Sequence, residues 1–146
     1  MSATLNDCLK AIQDIVGRVP GIRAAPEYAS DKVPPGPWAM AFPISGTMSQ
    51  EYVGILQGLH NIGLYVVTAR VDLPATLKAI LPMGELVTAA LEKEVTLLDT
   101  CDTFGKIDYA FNFALNVGTP SAPAYVTGWF FTITDVKIQD TTSLAA

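Results

Sequence analysis

Residues 107–117 read IDYAFNFALNV, and residues 124–138 read AYVTGWFFTITDVKI. In the first run Ile107, Tyr109, Phe111, Phe113, Leu115 and Val117 are apolar at every second position. Asp108, Ala110, Asn112, Ala114 and Asn116, between them, are polar or small. Successive side chains of a strand point to opposite faces, so a strict period of two predicts a strand with one buried face. At about 3.3 Å per residue the run spans roughly 36 Å, about twice an ordinary strand. The turn-rich GTPSAP at 118–123 separates it from the second run, and the two together predict a long hairpin. Tyr125, Thr127, Trp129, Phe131 and Ile133 share one face of its second strand. Beyond Thr134 the apolar positions move to Val136 and Ile138, which predicts a β-bulge or a strand end near Asp135.

Working outward, Leu5, Cys8, Leu9, Ile12, Ile15, Val16 and Val19 fall on one stripe at spacings of three and four, predicting a helix over 4–18. Thr4 is its N-cap candidate, with Asp7 in the first turn, and Gly17 and Pro20-Gly21 mark its stop. Asn6, Lys10, Gln13, Asp14 and Arg18 are assigned to the solvent face. Residues 22–28 read as short and extended. In 31–37 the prolines fix φ and remove donors, so this segment is a stiff connection into a strand at 38–45. Pro43 places that strand, or its end, at a sheet edge. Residues 46–58 mix Gly46, Thr47, Ser49, Gly54 and Gly58 with Met48, Tyr52, Val53, Ile55 and Leu56, and read as a long loop that is not hydrophilic. Such a loop folds back on its own sheet or finds its partner on another chain.

A strand is predicted over 60–71, with Ile62, Leu64 and Val66 on one face and Tyr65 and Val67 on the other. Asp72 caps the next helix, which tolerates Pro74 in its first turn. Pro82 and Gly84 split the stripe Leu77, Ile80, Leu81 from Leu86, Val87, Ala90, Leu91, which predicts two helical pieces. Residues 95–98 read as a brief strand, 100–105 as a turn, and 139–146 as a fraying tail. The expected class is α+β: one domain over 1–146, a mostly antiparallel sheet with the long C-terminal hairpin, and helices packed on one face.

Half of the 146 residues are hydrophobic and only 16% are charged, so either the core is rich or apolar surface is buried against partners. Nine basic residues against fourteen acidic give a net charge of −5, the wrong sign for gripping phosphate. Cys8 and Cys101 lie far apart, form no CxxC and read as reduced, half-buried thiols in an intracellular setting. The N-terminus lacks a basic region followed by an apolar one, so no signal peptide is expected. No apolar run reaches the roughly 18 residues that a membrane span requires.

The chemistry-bearing residues are sparse. His60 is the single histidine, and a metal site wants three or four ligands, so no metal is expected. A serine triad would have to recruit His60 with Ser45 or Ser49, and there is no GxSxG elbow. Glu92/Glu94 and Asp99/Asp102 read as solvated charges near turns. Gly54, Gly58 and Gly63 match no phosphate-binding spacing, so no cofactor is expected. Lys10, Arg18, Arg23 and Lys32 form no basic stripe for reading nucleic acid. What stands out instead is Trp129-Phe130-Phe131, consecutive aromatics that point to both faces of a sheet. One face is core; the other is covered by a helix or by a neighbouring subunit.

Residues 9–47, LKAIQDIVGRVPGIRAAPEYASDKVPPGPWAMAFPISGT, run from an amphipathic helix through VPGIR, APEY and a proline-rich DKVPPGP to a strand ending in PISG. Residues 59–82, LHNIGLYVVTARVDLPATLKAILP, and the closing pair of strands complete a layout that covers 5–138. This layout resembles the tail terminator (tail completion, neck) proteins of long non-contractile-tailed bacteriophages. The resemblance implies a small α+β virion protein, without enzymatic activity, that forms a ring, typically a hexamer. The ring caps the head-proximal end of the tail tube, stops tube polymerisation and offers a docking surface to the head-side connector or stopper. The partners implied are further copies of the chain, the tail tube protein and the connector. DNA passes through the lumen without recognition, and there is no membrane contact. The implied location is the neck of the virion, after assembly in the host cytoplasm. Met48, Tyr52, Ile55, Leu56, Trp129, Phe130 and Phe131 are the candidate subunit or tube contacts. A head-closure or connector-adaptor protein of the same neck, and a small-molecule-binding α+β module, are the alternative readings.

Overall fold

The computed structural model describes residues 3–23, 25, 36–69, 72–116 and 118–141, with the side chains of residues 51 and 52 outside that description. The elements are α1 (Leu5–Gly17), β1 (Trp38–Tyr52), β2 (Ile55–Ala69), α2 (Leu73–Ile80), α3 (Met83–Lys93), β3 (Ile107–Asn116) and β4 (Tyr125–Asp140). The four strands form one antiparallel sheet in the order β1-β2-β4-β3. The protein is therefore α+β and mostly sheet, as its periodicity predicts.

Local chemistry starts α1 where expected. The Thr4 hydroxyl accepts the Asp7 N–H at 3.1 Å, and the Asp7 carboxylate accepts the Thr4 N–H at 3.0 Å. This reciprocal capping box satisfies two otherwise orphaned donors and contributes about 1 kcal/mol. Asp72 stands at the N-cap position of α2 but, against expectation, its side chain makes no capping bond; Pro74 lies in the first turn, and the helix stops at Ile80 before Pro82. The apolar stripes of all three helices meet one face of the sheet. Ile12 and Val16 of α1, Ile80 of α2, and Val87 and Leu91 of α3 pack with Ile62, Leu64, Val66, Phe131 and Ile133 in one core. The expected face of β2 is thus the core face.

The bulge near Asp135 is present. His60 pairs with Val136 and Ile62 with Ile133, and Asp135 takes a left-handed φ of 54°. The strand does not end there, because Gln57 and Leu56 continue the ladder to Gln139 and Asp140. The expected tail at 139–146 is corrected accordingly: Gln139 and Asp140 are strand, and 142–146 lie outside the described residues. So do Val117, most of the 22–28 segment and the connection at 31–35.

Four further expectations are corrected. Residues 46–58 are not a loop: they complete a second long hairpin, with Tyr52 opposite Ile55 and Gly54 supplying a φ of 79° in the turn. Gly reaches that conformation at little cost. Residues 95–98 are not a strand but a turn, in which Leu97, Leu98 and Asp99 are all left-handed and Leu97 is fully buried. The Thr96 hydroxyl accepts the Asp99 N–H and the Thr100 hydroxyl donates to the Leu97 carbonyl, so side chains stabilise the turn against extension. In β3 the register slips between Asn112 and Leu115. Leu115 thereby joins Val126, Trp38 and Val67 on the face away from the helices, instead of following Tyr109 and Phe111. Finally, Gln13 is not on a solvent face. It is 2% exposed and bonded to the backbone of β1.

Candidate assembly surfaces

The three consecutive aromatics divide as a strand requires, and the structure assigns each side. Phe131 is 2% exposed and belongs to the subunit's own core. It is therefore withdrawn from the candidate contacts. Trp129 lies on the same face, half-buried. Its indole N–H donates to the Ile80 carbonyl at 2.9 Å, fastening the end of α2 to β4. Gly84 makes this possible, because a Cβ there would stand 2.5 Å from the indole ring. Phe130 points the other way, stacks with Phe42 at a centroid distance of 5.9 Å and packs at a tilt against Tyr65 at 5.0 Å.

That second face carries Met40, Phe42, Tyr65 and Phe130 as half-buried side chains, and no helix of the described residues packs on it. It continues along the first hairpin through Ile44 and Leu59, both exposed. β2 stays between β1 and β4 as far as Leu56, so beyond Pro43 it is the side chains of the edge strand β1 that become exposed. Met48, opposite Gly58 and so on the helix side of the sheet, is 59% exposed, and Val53 at the tip is 96% exposed. Ile55 and Leu56 are half-buried near the tip. Tyr52 pairs with Ile55 through its backbone, and its side chain lies outside the described residues. Met48 and Leu56 line a recess with Thr4, His60, Ile138 and Asp140.

A second apolar surface lies at the far end of the sheet. Tyr109, 68% exposed, packs edge-on against Trp129 at 5.1 Å, as does Phe111. Phe113 is exposed beside Phe111. Between β3 and α3 runs a groove of about 460 Å³, floored by Trp129 and Phe131 and flanked by Gly84, Thr88, Ile107 and Tyr109. The groove escaped the sequence reading, because it is assembled from residues distant along the chain, whereas the helix-free face is the second aromatic face that Trp129-Phe130-Phe131 predicts.

The two edges of the sheet are unlike. At the β1 edge the Gln13 amide donates to the Ala39 carbonyl at 3.3 Å and its oxygen accepts the Ala41 N–H at 2.6 Å. Those backbone groups are closed to a further strand. At the β3 edge Lys106 faces β4, with its carbonyl accepting the Thr134 N–H. Antiparallel alternation then turns the backbone groups of Ile107, Tyr109 and Phe111 outward. No described element pairs with that edge.

Burial lowers the pKa of His60, whose ring fills the space left by Gly46 and Gly58. Glu92 lies in the last turn of α3, Glu94 at its C-cap, Asp99 in the left-handed turn and Asp102 just beyond it. Among the described residues no three His, Cys, Asp or Glu side chains group as metal ligands. No helix of the described residues is long and apolar enough to cross a membrane. No family model matches the chain, and no curated protein matches it in sequence.

Proposed function

We propose that this chain is a structural subunit of a bacteriophage neck, a tail terminator that closes into a ring on the head-proximal end of the tail tube. The observation that carries the proposal is the inequality of the two sheet ends. One end offers the outer part of the first hairpin, with exposed Ile44, Met48, Val53 and Leu59. The other offers an open strand edge beside an aromatic groove, with Tyr109 and Phe113 exposed. Two different apolar patches on one subunit support head-to-tail contacts, and head-to-tail contacts close into rings when the rotation permits. Large exposed apolar patches mark interaction surfaces rather than monomer surface.

In this reading the hairpin of one subunit lies on the β3 end of the next, and the Phe42-Tyr65-Phe130 face adds to the contact. The Gln13 bonds occupy the Ala39 and Ala41 backbone groups, so that part of the β1 edge takes no further strand. The ring stops tube growth by covering the last tube subunits, and its outer rim receives the connector. An excess of fourteen acidic over nine basic residues leaves a lumen that repels phosphate, so DNA slides through it.

The test is assembly. Native mass measurement, with and without purified tail tubes, is expected to give a ring, and negative-stain images are expected to show it at one tube end only. A monomer that leaves tubes uncapped at high concentration overturns the proposal. Binding to DNA-filled heads but not to tails reassigns the chain to head closure.

The groove between α3 and β3 supports a second reading, a small-molecule-binding module, since about 460 Å³ with an aromatic floor suits an apolar ligand. A saturable thermal shift from a metabolite set, lost on Tyr109→Ala, would favour it.

A further inference from the structure

The groove between α3 and β3 joins aromatic walls to a single charge. Trp129 and Phe131 lie nearly parallel on its floor, with 10° between their planes and 5.9 Å between their centroids. Tyr109 stands exposed at its rim, inclined 70° to the Trp129 ring at 5.1 Å. The three rings form a corner, with Ile107 beside them. One side of the corner is rigid, because the Ile80 carbonyl accepts the Trp129 N–H at 2.9 Å and fixes the indole plane. Among the described lining residues Glu85 alone is charged. It is exposed in the first turn of α3, and no described cation pairs with it. Lys106 is engaged by Asp108 at 3.7 Å, and Asp108 alternates with Ile107 and Tyr109, so that ion pair lies on the other face of β3. The α3 N-terminus contributes about half a positive charge, which the full negative charge of Glu85 exceeds.

We infer that this groove binds an organic ammonium, a quaternary or primary amine with an apolar body, whose charged head rests on Trp129 and Tyr109 beside Glu85. A ring face attracts a cation through its quadrupole, and a carboxylate attracts it through its charge. The alkyl groups of the ligand cover the same rings from water. An anion is repelled by both features. A hydrated inorganic cation needs several oxygen ligands and finds one carboxylate. The Thr88 hydroxyl already donates to the Gly84 carbonyl at 2.8 Å, so it does not offer that proton to an anionic ligand. A neutral molecule of the same shape keeps the ring contacts and gains nothing from Glu85, so charge is what the site selects. The inference rests on the reading of this groove as a small-molecule site and names the class of its ligand.

The folded full chain is titrated with choline and, separately, with its neutral isostere, in which carbon replaces the charged nitrogen. The chain has two tryptophans, and the indole N–H resonance that survives Trp38→Phe is that of Trp129 and reports binding. Choline is expected to saturate its shift at millimolar concentration, and the isostere to bind at least about tenfold more weakly. Glu85→Gln is expected to weaken choline by about threefold to tenfold and leave the isostere unchanged, whereas Tyr109→Ala weakens both. Both side chains are exposed, so both variants are expected to keep the parent's thermal midpoint. Equal affinity for choline and isostere overturns the inference but leaves a neutral apolar pocket. Saturable binding of neither ligand overturns the inference together with the pocket itself. Choline binding that both variants leave unaltered lies elsewhere and also overturns it. The wild-type comparison decides the matter even if a variant fails to fold.

Discussion

The side-chain oxygen of Gln13 accepts the backbone N–H of Ala41 at 2.6 Å, across 28 positions of sequence. With the matching bond from its amide to the Ala39 carbonyl, one glutamine imitates a short piece of neighbouring strand. An edge strand exposes just such unpaired groups as a template for association, and proteins commonly blunt them. Here the blunting element is a helix side chain, and it covers β1 at Ala39 and Ala41.

Gln13→Leu removes both bonds and strands two backbone groups beside the helix. The expected cost is about 2–4 kcal/mol. Calorimetry is expected to show a lowered Tm, and light scattering a new concentration-dependent association through β1. An unchanged Tm would mean that water replaces the glutamine without loss.

Gly84→Ala places a methyl 2.5 Å from the Trp129 ring. The indole has to shift, and its bond to the Ile80 carbonyl breaks or lengthens. Overpacking of this kind costs about 1–3 kcal/mol. Urea titration of the variant measures it, and Trp129 fluorescence is expected to change even where the chain stays folded.

Val53→Asp and Met48→Asp alter side chains that the isolated subunit leaves in solvent. Their stability is expected to stay within about 0.5 kcal/mol of the parent. Ring formation, read by native mass, is expected to fail or weaken at least tenfold. Phe131→Ala is the contrasting variant: it empties the subunit's own core and is expected to cost about 3–5 kcal/mol whether or not rings form.

Burial lowers the pKa of His60 below its ordinary 6.5. Below about pH 6.5 the unfolded chain therefore takes up a proton that the folded chain resists. The stability tied to this residue is complete above that pH, and it is lost as pH falls through the folded-state value. The difference between the parent and His60→Gln in unfolding free energy from pH 8 to 5 isolates this contribution from that of the carboxylates. A difference that does not vary with pH would show that His60 titrates alike in both states.

The helical and core-strand readings succeed where burial imposes a period on neighbouring residues. Ile12 and Val16, Ile62, Leu64 and Val66, and Phe131 and Ile133 each carry their face in their own spacing. Along β1 beyond Pro43 the side chains are exposed, and neither face is selected for apolarity. Gly46, Ser49 and Gly58 then sit among Met48 and Leu59 without a pattern, and the segment reads as a loop. The turn at Leu97 misleads for the opposite reason: its apolar residues suggest extension, while hydrogen bonds from Thr96 and Thr100 and the burial of Leu97 choose a left-handed turn.

By itself the sequence determined the α+β class, the approximate reach of the helices, a break in alternation near Asp135 and the alternation that sends Trp129 and Phe130 to opposite faces, because each rests on contacts or spacings a few residues long. Only the tertiary structure decided that this break is a bulge within a continuing strand, that Gln13 bonds Ala39 and Ala41 at a sheet edge, that Leu115 crosses to the helix-free face, that Gly84 seats Trp129 beneath α3, and that Cys8 and Cys101 share one core. Each of these joins residues far apart along the chain, and local periodicity carries no information about which distant backbone a side chain will meet.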